Sequence, residues 1–548
     1  MSTATLPMYE WKSIPWPKLQ RNVFKLQKRI YQASQRGDIR TVHQLQRLLL
    51  SSQSARMLAT RRVTQDNRGK NTPGVDKRSR LSPTERVNMA KALHFGNKPS
   101  PLRRVWIPKP RTYEKRPLGI PTLWDRALQA WVKLAMEPEW EAKFEPNSYG
   151  FRPGRSCHDA IEAIFSGIVR KPKFVLDADI AKCFDKIDHK ALLAKLGTFP
   201  SLQRILQGWL RAGVLENQQW FPTESGTPQG GVISPLLANI ALHGLERVIM
   251  DSFPATCMKD GKSTPWKPKV VRYADDFVIL HPDRDAIMRC RDIAANWLAS
   301  LGLELKPEKT HVTHTLDGDM PSPGFNFLGF HIRQHQVGRT HSGLCPGRID
   351  RLGFKTIITP SREGIARHKK RLSETQRSHR GGTTEALVRH LSQIIRGWSL
   401  YYSTVCSKAT FNKIDIALFA MLRSWGLRRH GNKKEKWVLG HYWRPDKGRW
   451  RFQAETGLIL SLHADTPIRR HIKVTGTYSP FDGNWLYWAT RMGRHPEQNP
   501  RIALLLKSQQ GKCVKCGLYF NDGDSLHKHR HPLASGKQQV QLIHGYCR

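Results

Sequence analysis

Val270-Val-Arg-Tyr273-Ala274-Asp275-Asp276-Phe277-Val-Ile-Leu280 is the stretch whose reading decides the fold. Short apolar runs flank an acid pair, which predicts a tight β-hairpin carrying both carboxylates at its tip. Taken alone, an Asp-Asp dipeptide is more often a surface turn. Between apolar runs, however, the two charges repel each other and lose hydration, and a divalent cation removes both costs. A third acid, Asp179, ends the strand-like run Lys173-Phe-Val-Leu-Asp-Ala-Asp179-Ile180 and can lie beside the hairpin. Such a carboxylate set suits phosphoryl transfer assisted by two Mg²⁺ ions about 3.5–4 Å apart. Mg²⁺ takes oxygen ligands, which favours carboxylates over His or Cys.

Charge is the strongest bulk signal. The 548 residues hold 90 Lys+Arg against 44 Asp+Glu, a formal net charge of +46. A chain this basic repels itself unless it meets a polyanion, and nucleic acid is the usual one. An anionic membrane surface fits less well, because the cations are spread through folded segments rather than gathered in one anchor. With 39% hydrophobic residues, 17 Trp and 20 Phe, the chain can build real cores, and its length suggests about three to four structural units. The nine Cys are scattered except at the C-terminal end, which argues against a secreted disulfide framework. No signal peptide or membrane span is recognisable, and no membrane partner is expected.

Along the chain, residues 20–62 read as two basic amphipathic helices separated at Gly37-Asp38, and a Gly/Asn/Pro-rich loop over 64–80 marks a boundary. From about 100 to 335 strands and helices alternate in an α+β manner. Beyond 350 the pattern turns helical. Leu387, Val388, Leu391, Ile394, Ile395 and Trp398 form one stripe, and a second helix runs through Ile416, Phe419, Leu422 and Trp425. Residues 450–505, rich in Trp, Arg and turn formers, look like a separate small unit.

Tyr273-Ala-Asp-Asp276 resembles the central motif of reverse transcriptases, and Asp179-Ile-Ala-Lys-Cys-Phe184-Asp185 resembles their first palm motif. Further blocks follow in order: Arg104-Val-Trp-Ile-Pro-Lys109-Pro, Arg116-Pro-Leu-Gly-Ile-Pro121, Asn147-Ser-Tyr-Gly-Phe-Arg152-Pro-Gly-Arg-Ser156, Gly226-Thr-Pro-Gln229-Gly-Gly-Val-Ile-Ser-Pro235, Gly302-Leu-Glu-Leu-Lys-Pro-Glu-Lys309 and Phe327-Leu-Gly-Phe330. The resemblance implies a right-hand polymerase fold of fingers and palm. It makes Asp179, Asp275 and Asp276 the catalytic, Mg²⁺-binding acids. Lys109 and Arg116 would hold the triphosphate of a deoxynucleoside triphosphate. Phe184 would be the steric gate against a ribose 2′-hydroxyl, Gln229 would touch the templating pair, and Tyr273 would belong to the nucleotide site. Lys309 stands where a general acid for pyrophosphate is proposed in related polymerases; as an isolated residue it could equally be a solvated lysine.

The flanks narrow the resemblance to reverse transcriptases encoded by group II introns. Val63-Thr-Gln-Asp-Asn-Arg-Gly-Lys70 is similar to their N-terminal extension. Ile394-Ile-Arg396-Gly-Trp398-Ser-Leu-Tyr-Tyr402 and Trp425-Gly-Leu-Arg428-Arg429-His430 are similar to their thumb-like maturase domain. The implied division is 1–75 N-terminal extension, 76–345 fingers and palm, 346–445 an α-helical thumb/maturase domain, 446–505 a DNA-binding region and 506–548 a zinc module. Arg396, Trp398, Arg428, Arg429, Lys433 and Lys434 would contact RNA. The implied partners are the parent intron RNA, target DNA, an RNA template with a DNA primer, and deoxynucleoside triphosphates. A splicing-only RNA-binding maturase, or a reverse transcriptase of another retroelement class, are the alternatives.

Cys513-Val-Lys-Cys516 and His544-Gly-Tyr-Cys547 offer four ligands at spacings suited to structural Zn²⁺. The segment resembles an HNH-type endonuclease domain, with His529-Arg-His-Pro532 matching the base His and its Pro. Lys528 and Arg548 replace expected metal ligands, which implies a disabled nuclease.

Overall fold

The computed structural model describes residues 10–96, 98–108, 115–259, 261–316, 323–344, 351–446, 448–532 and 538–548. The apolar runs around Asp275 form the strands Lys269–Tyr273 and Asp276–His281, antiparallel and joined by the two-residue turn Ala274-Asp275. Phe174–Asp179 pairs with the second of these, and His311–His314 lies beyond it, closing a four-stranded antiparallel sheet.

Strand alternation divides the sheet between two cores. Leu176, Ala178, Val270, Phe277 and Ile279 face one cluster, together with Ile287, Cys290, Ala294 and Leu298 of helix Arg284–Ala299. Val175, Val271, Val278 and Leu280 face another, with Ile161 and Ile164 of helix Cys157–Ile168. The sheet is thus sandwiched, which is why its strands are apolar in nearly continuous runs rather than alternating. A second four-stranded sheet contains Leu102–Pro108, Lys115–Ile120, Val214–Glu216 and Gln219–Phe221. The mixed α/β content expected from the sequence is present.

N-terminally there are three helices, Trp16–Gln35, Ile39–Ser51 and Gln53–Arg61, rather than two. Asp38 caps the second, accepting from the Thr41 N–H at 3.0 Å, and extended backbone at Ser52 splits off the third. Their buried faces join the same core as helix Leu123–Lys143. Arg126 of that helix donates to the carbonyls of Gly69 and Thr72 at 2.9 and 2.8 Å, fastening the loop read from sequence as a boundary.

Helices Arg362–Ser378, Thr384–Tyr402, Lys408–Arg429 and Glu435–Tyr442 make the later helical region. The core stripe of Lys408–Arg429 is Phe411, Ile414, Leu418, Leu422 and Trp425; Ile416 and Phe419, read from sequence as part of the stripe, are 70% and 41% exposed. Two apolar faces on one helix defeat a simple periodicity count. Hairpin Trp443–Asp446/Arg449–Phe452 packs Trp443 and Phe452 into this helical cluster. Residues 471–491 dock on the N-terminal end of helix Cys157–Ile168. There buried Asp159 accepts from His471, Val474 and Arg491 at 3.0, 2.8 and 2.5 Å. A small C-terminal core joins Leu486, Ala503, Leu506, Cys513, Phe520, Leu542 and Ile543. Among the described residues no helix is long and apolar enough to cross a membrane.

Candidate active site

The three acids meet at one end of the sandwiched sheet. Asp179 and Asp276 are direct partners across adjacent strands, and Asp275 occupies the turn between them and Tyr273. Ala274 holds that turn with φ +59°. The turn is braced from below and behind. Fully buried Arg272 donates to the Ala274 carbonyl and to Asn239 Oδ1, both at 3.2 Å, and Asn239 donates to the Gly150 carbonyl at 2.7 Å. Gly150 lies so close that a Cβ there would sit 2.3 Å from the Ala274 nitrogen, so only glycine fits.

Electrostatics at the site are unfavourable to bare acids. Burial first, then repulsion from Asp275 and Asp179, pushes the Asp276 carboxyl up to about 7. Burial likewise raises Asp275, with Asp179 adding to it and Arg116 and Lys309 opposing. The Lys309 ammonium sits on Asp179 Oδ2. Three mutually repelling oxygen donors, with a lysine already drawn to one of them, form a donor set that fits divalent, oxygen-seeking cations. One further acid escaped the sequence reading: Asp177, two residues before Asp179 and hence on the same face, is pushed up to about 7 by burial and then by Asp276 and Asp179. Period-2 alternation in Phe174–Asp179 carried that signal.

A cleft of about 1180 Å³ opens over these acids, lined also by Arg116, Phe184, Gln229 and Lys309. Residues separated by up to about two hundred positions in the chain therefore face one volume. Phe184 sits on the short helix Cys183–Lys186. The loop from Gly226 clamps that helix, with the Thr227 N–H donating to the Phe184 carbonyl at 2.6 Å. A Cβ on Gly226 would meet the same carbonyl at 2.6 Å. The Gln229 carbonyl accepts from the Gly119 N–H at 2.7 Å, tying this loop to the second sheet. Phe151, with φ +59° and 49% exposed, places its ring edge-on to Phe184 at 6.2 Å; nothing in the sequence reading had singled it out. Lys109 lies outside the described residues.

Tyr273 does not line the cleft. It sits on the far edge strand, one strand beyond Asp276 from Asp179, and packs half-buried against the cluster containing Phe330. Trp398 is half-buried: its ring stacks on His368 at 4.4 Å and packs against both neighbouring cores. Arg396, Arg428, Lys433 and Lys434 are exposed. Arg429 is exposed too, but donates to the Gly382 carbonyl at 2.8 Å.

At the other end of the chain, one ligand atom each from Cys513, Cys516, His544 and Cys547 lie within 4.8 Å of one another. His544 Nδ1 is 3.3 Å from Cys516 Sγ, and its Nε2 faces Asp524 at 3.3 Å, an arrangement in which a carboxylate would orient the imidazole toward a metal. His529 is half-buried on the hairpin strand Leu526–Pro532, opposite Gln541, and takes no part in the cluster.

Three family profiles match in tandem: the N-terminal domain of reverse transcriptase over 11–93, reverse transcriptase (RNA-dependent DNA polymerase) over 107–332, and the group II intron maturase-specific domain over 365–443. Protein YkfC of Escherichia coli K12 is 34% identical over 326 residues, covering 53% of this chain and 83% of that protein. The chain belongs to the group II intron reverse transcriptase–maturase family. Group II intron-encoded protein LtrA of Lactococcus lactis is 31% identical over 332 residues, 50% of this chain and 54% of LtrA. An uncharacterised 91 kDa protein in the cob intron of Schizosaccharomyces pombe is 27% identical over 372 residues, 57% of this chain and 44% of that one. The match thus spans about half the length of these two intron proteins. As a member of this family, the reverse transcriptase–maturase is an RNA-directed DNA polymerase by class, and the acid-lined cleft lies within the polymerase profile.

Proposed function

We propose that this reverse transcriptase–maturase extends a DNA primer along an RNA template in the cleft over Asp179, Asp275 and Asp276, and that its helical region holds the parent intron RNA for splicing. The observation that carries the polymerase reading is the register: Asp179 opposite Asp276, with Asp275 at the adjoining turn. These carboxylates would hold two Mg²⁺ ions, which supply activation of the primer hydroxyl and charge neutralisation on the leaving pyrophosphate. Arg116, on the cleft wall, binds the triphosphate as a bidentate fork, and Lys109, outside the described residues, shares that task. Phe184 closes the space a 2′-hydroxyl would need. Lys309, drawn to Asp179 here, exchanges that contact for the triphosphate and can pass a proton to pyrophosphate. Gln229 abuts the templating pair.

The same reading assigns 1–75 as the N-terminal extension, 76–345 as fingers and palm, 346–445 as thumb and maturase domain, 446–505 as the region that meets target DNA, and 506–548 as a zinc module without nuclease activity. Arg396, Arg428, Lys433 and Lys434 neutralise intron phosphates, and the net charge of +46 supports that task. Splicing help is binding rather than chemistry, so the two activities are separable. The test is primer extension on RNA beside intron splicing at limiting Mg²⁺, with Asp275→Ala as the variant. Loss of extension with splicing retained supports both halves of the proposal. Loss of splicing together with extension, in a protein that still binds the RNA, contradicts the division of labour.

A further inference from the structure

Helix Lys408–Arg429 keeps Ile416 and Phe419 out of the core, and the nearby hairpin leaves Trp450 67% exposed. Between them runs a groove of about 390 Å³ lined by Asn412, Ile416, Phe419, Trp443, Arg449 and Trp450. Its volume falls at the lower end of the roughly 300–1,000 Å³ range of small-ligand sites. Trp443 forms its floor, edge-on to Phe419 at 5.2 Å and buried beneath.

The surroundings decide what can occupy it. From Lys408 to Phe452 the sequence has twelve Lys or Arg and only three acids, Asp415, Glu435 and Asp446. All three acids are engaged: Asp415 accepts from the His463 ring and from the backbone N–H groups of His463 and Ala464; Glu435 pairs with Arg423 at 2.6 Å; and Asp446 pairs with Arg451 at 3.0 Å. An apolar, aromatic slot in a field of net positive charge fits a ligand that joins flat apolar faces to a polyanionic backbone. An apolar protein segment would satisfy the slot but not the field.

We propose that this groove captures an unstacked base from a single-stranded segment of the bound RNA. The base lies against Trp450 and Phe419, Asn412 reads its polar edge, and Arg449 takes the adjoining phosphate. Aromatic platforms with cationic rims are how unpaired nucleotides are held with little sequence preference. The inference rests on the reading that the helical region binds RNA, extends that RNA surface to Arg449 and Trp450 at the start of the segment assigned to target DNA, and adds an anchoring point beyond phosphate neutralisation.

The test uses the full-length protein and a labelled 20-nucleotide single-stranded RNA of mixed sequence containing 4-thiouridine. Trp450→Ala should weaken its binding about tenfold, the order of one lost base–aromatic stack. Trp450→Tyr should restore most of the affinity, and ultraviolet cross-links should map to 412–419 or 443–452. Equal weakening of a DNA strand of the same sequence would still support base capture by stacking. If Lys433→Glu/Lys434→Glu weakens binding while Trp450→Ala leaves it unchanged, RNA binding by this region stands and the groove proposal falls. If Trp450→Ala instead dissociates a dimer and leaves RNA binding intact, the occupant is a second copy and the proposal is overturned.

Discussion

Asp179 and Asp276 are register partners on neighbouring antiparallel strands, and their carboxylates emerge on one face of the sheet. A one-residue slip of either strand would carry its acid to the opposite face, into the core formed with helix Arg284–Ala299. The apolar residues that enforce the register, Leu176 opposite Ile279 and Ala178 opposite Phe277, are therefore as necessary to the site as the acids.

Gly150 supports the turn by the absence of a side chain. Gly150→Ala forces a methyl group to within 2.3 Å of the Ala274 nitrogen. The turn carrying Asp275 must shift, and a displacement of about 1 Å at a reacting group costs on the order of 100-fold in rate. Single-turnover nucleotide addition should fall by that factor, while primer–template affinity stays near wild type.

Phe184 should govern sugar selection. With Phe184→Ala, the preference for deoxy- over ribonucleoside triphosphates should drop on the order of 100-fold, measured as a ratio of kcat/KM values. Phe151→Ala removes the ring that sits edge-on against Phe184 and should give a smaller loss in the same direction.

Asp159 gives the docking of residues 471–491 a pH dependence. Burial alone would raise its carboxyl, but the His471 hydrogen bond and the Arg491 guanidinium hold it well below the usual carboxylate range. A depressed folded-state value means that the stabilisation is complete above the unfolded carboxylate's value of about 3.9 and is lost as pH falls from there toward the folded value. Asp159→Asn, which leaves Arg491 without its buried counter-charge, should cost about 3 kcal/mol near neutral pH. Hydrogen exchange across 471–491 should accelerate accordingly, and the gap from wild type should narrow as pH drops below about 4.

The C-terminal cluster should bind one structural metal. Metal analysis of the purified protein should return about one zinc per chain, lost in Cys513→Ser. Because Cys513 belongs to a core of its own with Leu506, Phe520 and Leu542, RNA-templated extension should survive that loss. Nicking of target DNA should be absent in both proteins; cleavage that depends on His529 would refute the reading of a disabled nuclease.

Much of this architecture was legible in the residues. The acid pair between apolar runs gave the hairpin, and the ordered blocks around it gave the polymerase region, because strands buried on both faces leave continuous apolar signatures. The carboxylate set and most of the cleft followed from those blocks. What escaped depends on three-dimensional neighbours. Arg272 lies in an apolar run and shows no sign, in sequence, of bracing the turn from below. The outward turn of Ile416 and Phe419 comes from a helix with apolar residues on more than one face, where the partner rather than the periodicity decides which side is core. Tyr273 belongs to the motif but points to a packing cluster, because the edge strand carries it away from the cleft.

The central claim is that Asp179, Asp275 and Asp276 together drive DNA synthesis on RNA. The most direct measurement is the single-turnover rate of deoxynucleotide addition to a DNA primer annealed to RNA, in Mg²⁺, for wild type and for Asp179→Asn. The account predicts extension by wild type and a fall of at least about 1,000-fold in the variant, in the range expected when a group acting chiefly on the transition state is removed. Extension by Asp179→Asn at close to the wild-type rate, or no extension by wild type, would contradict it.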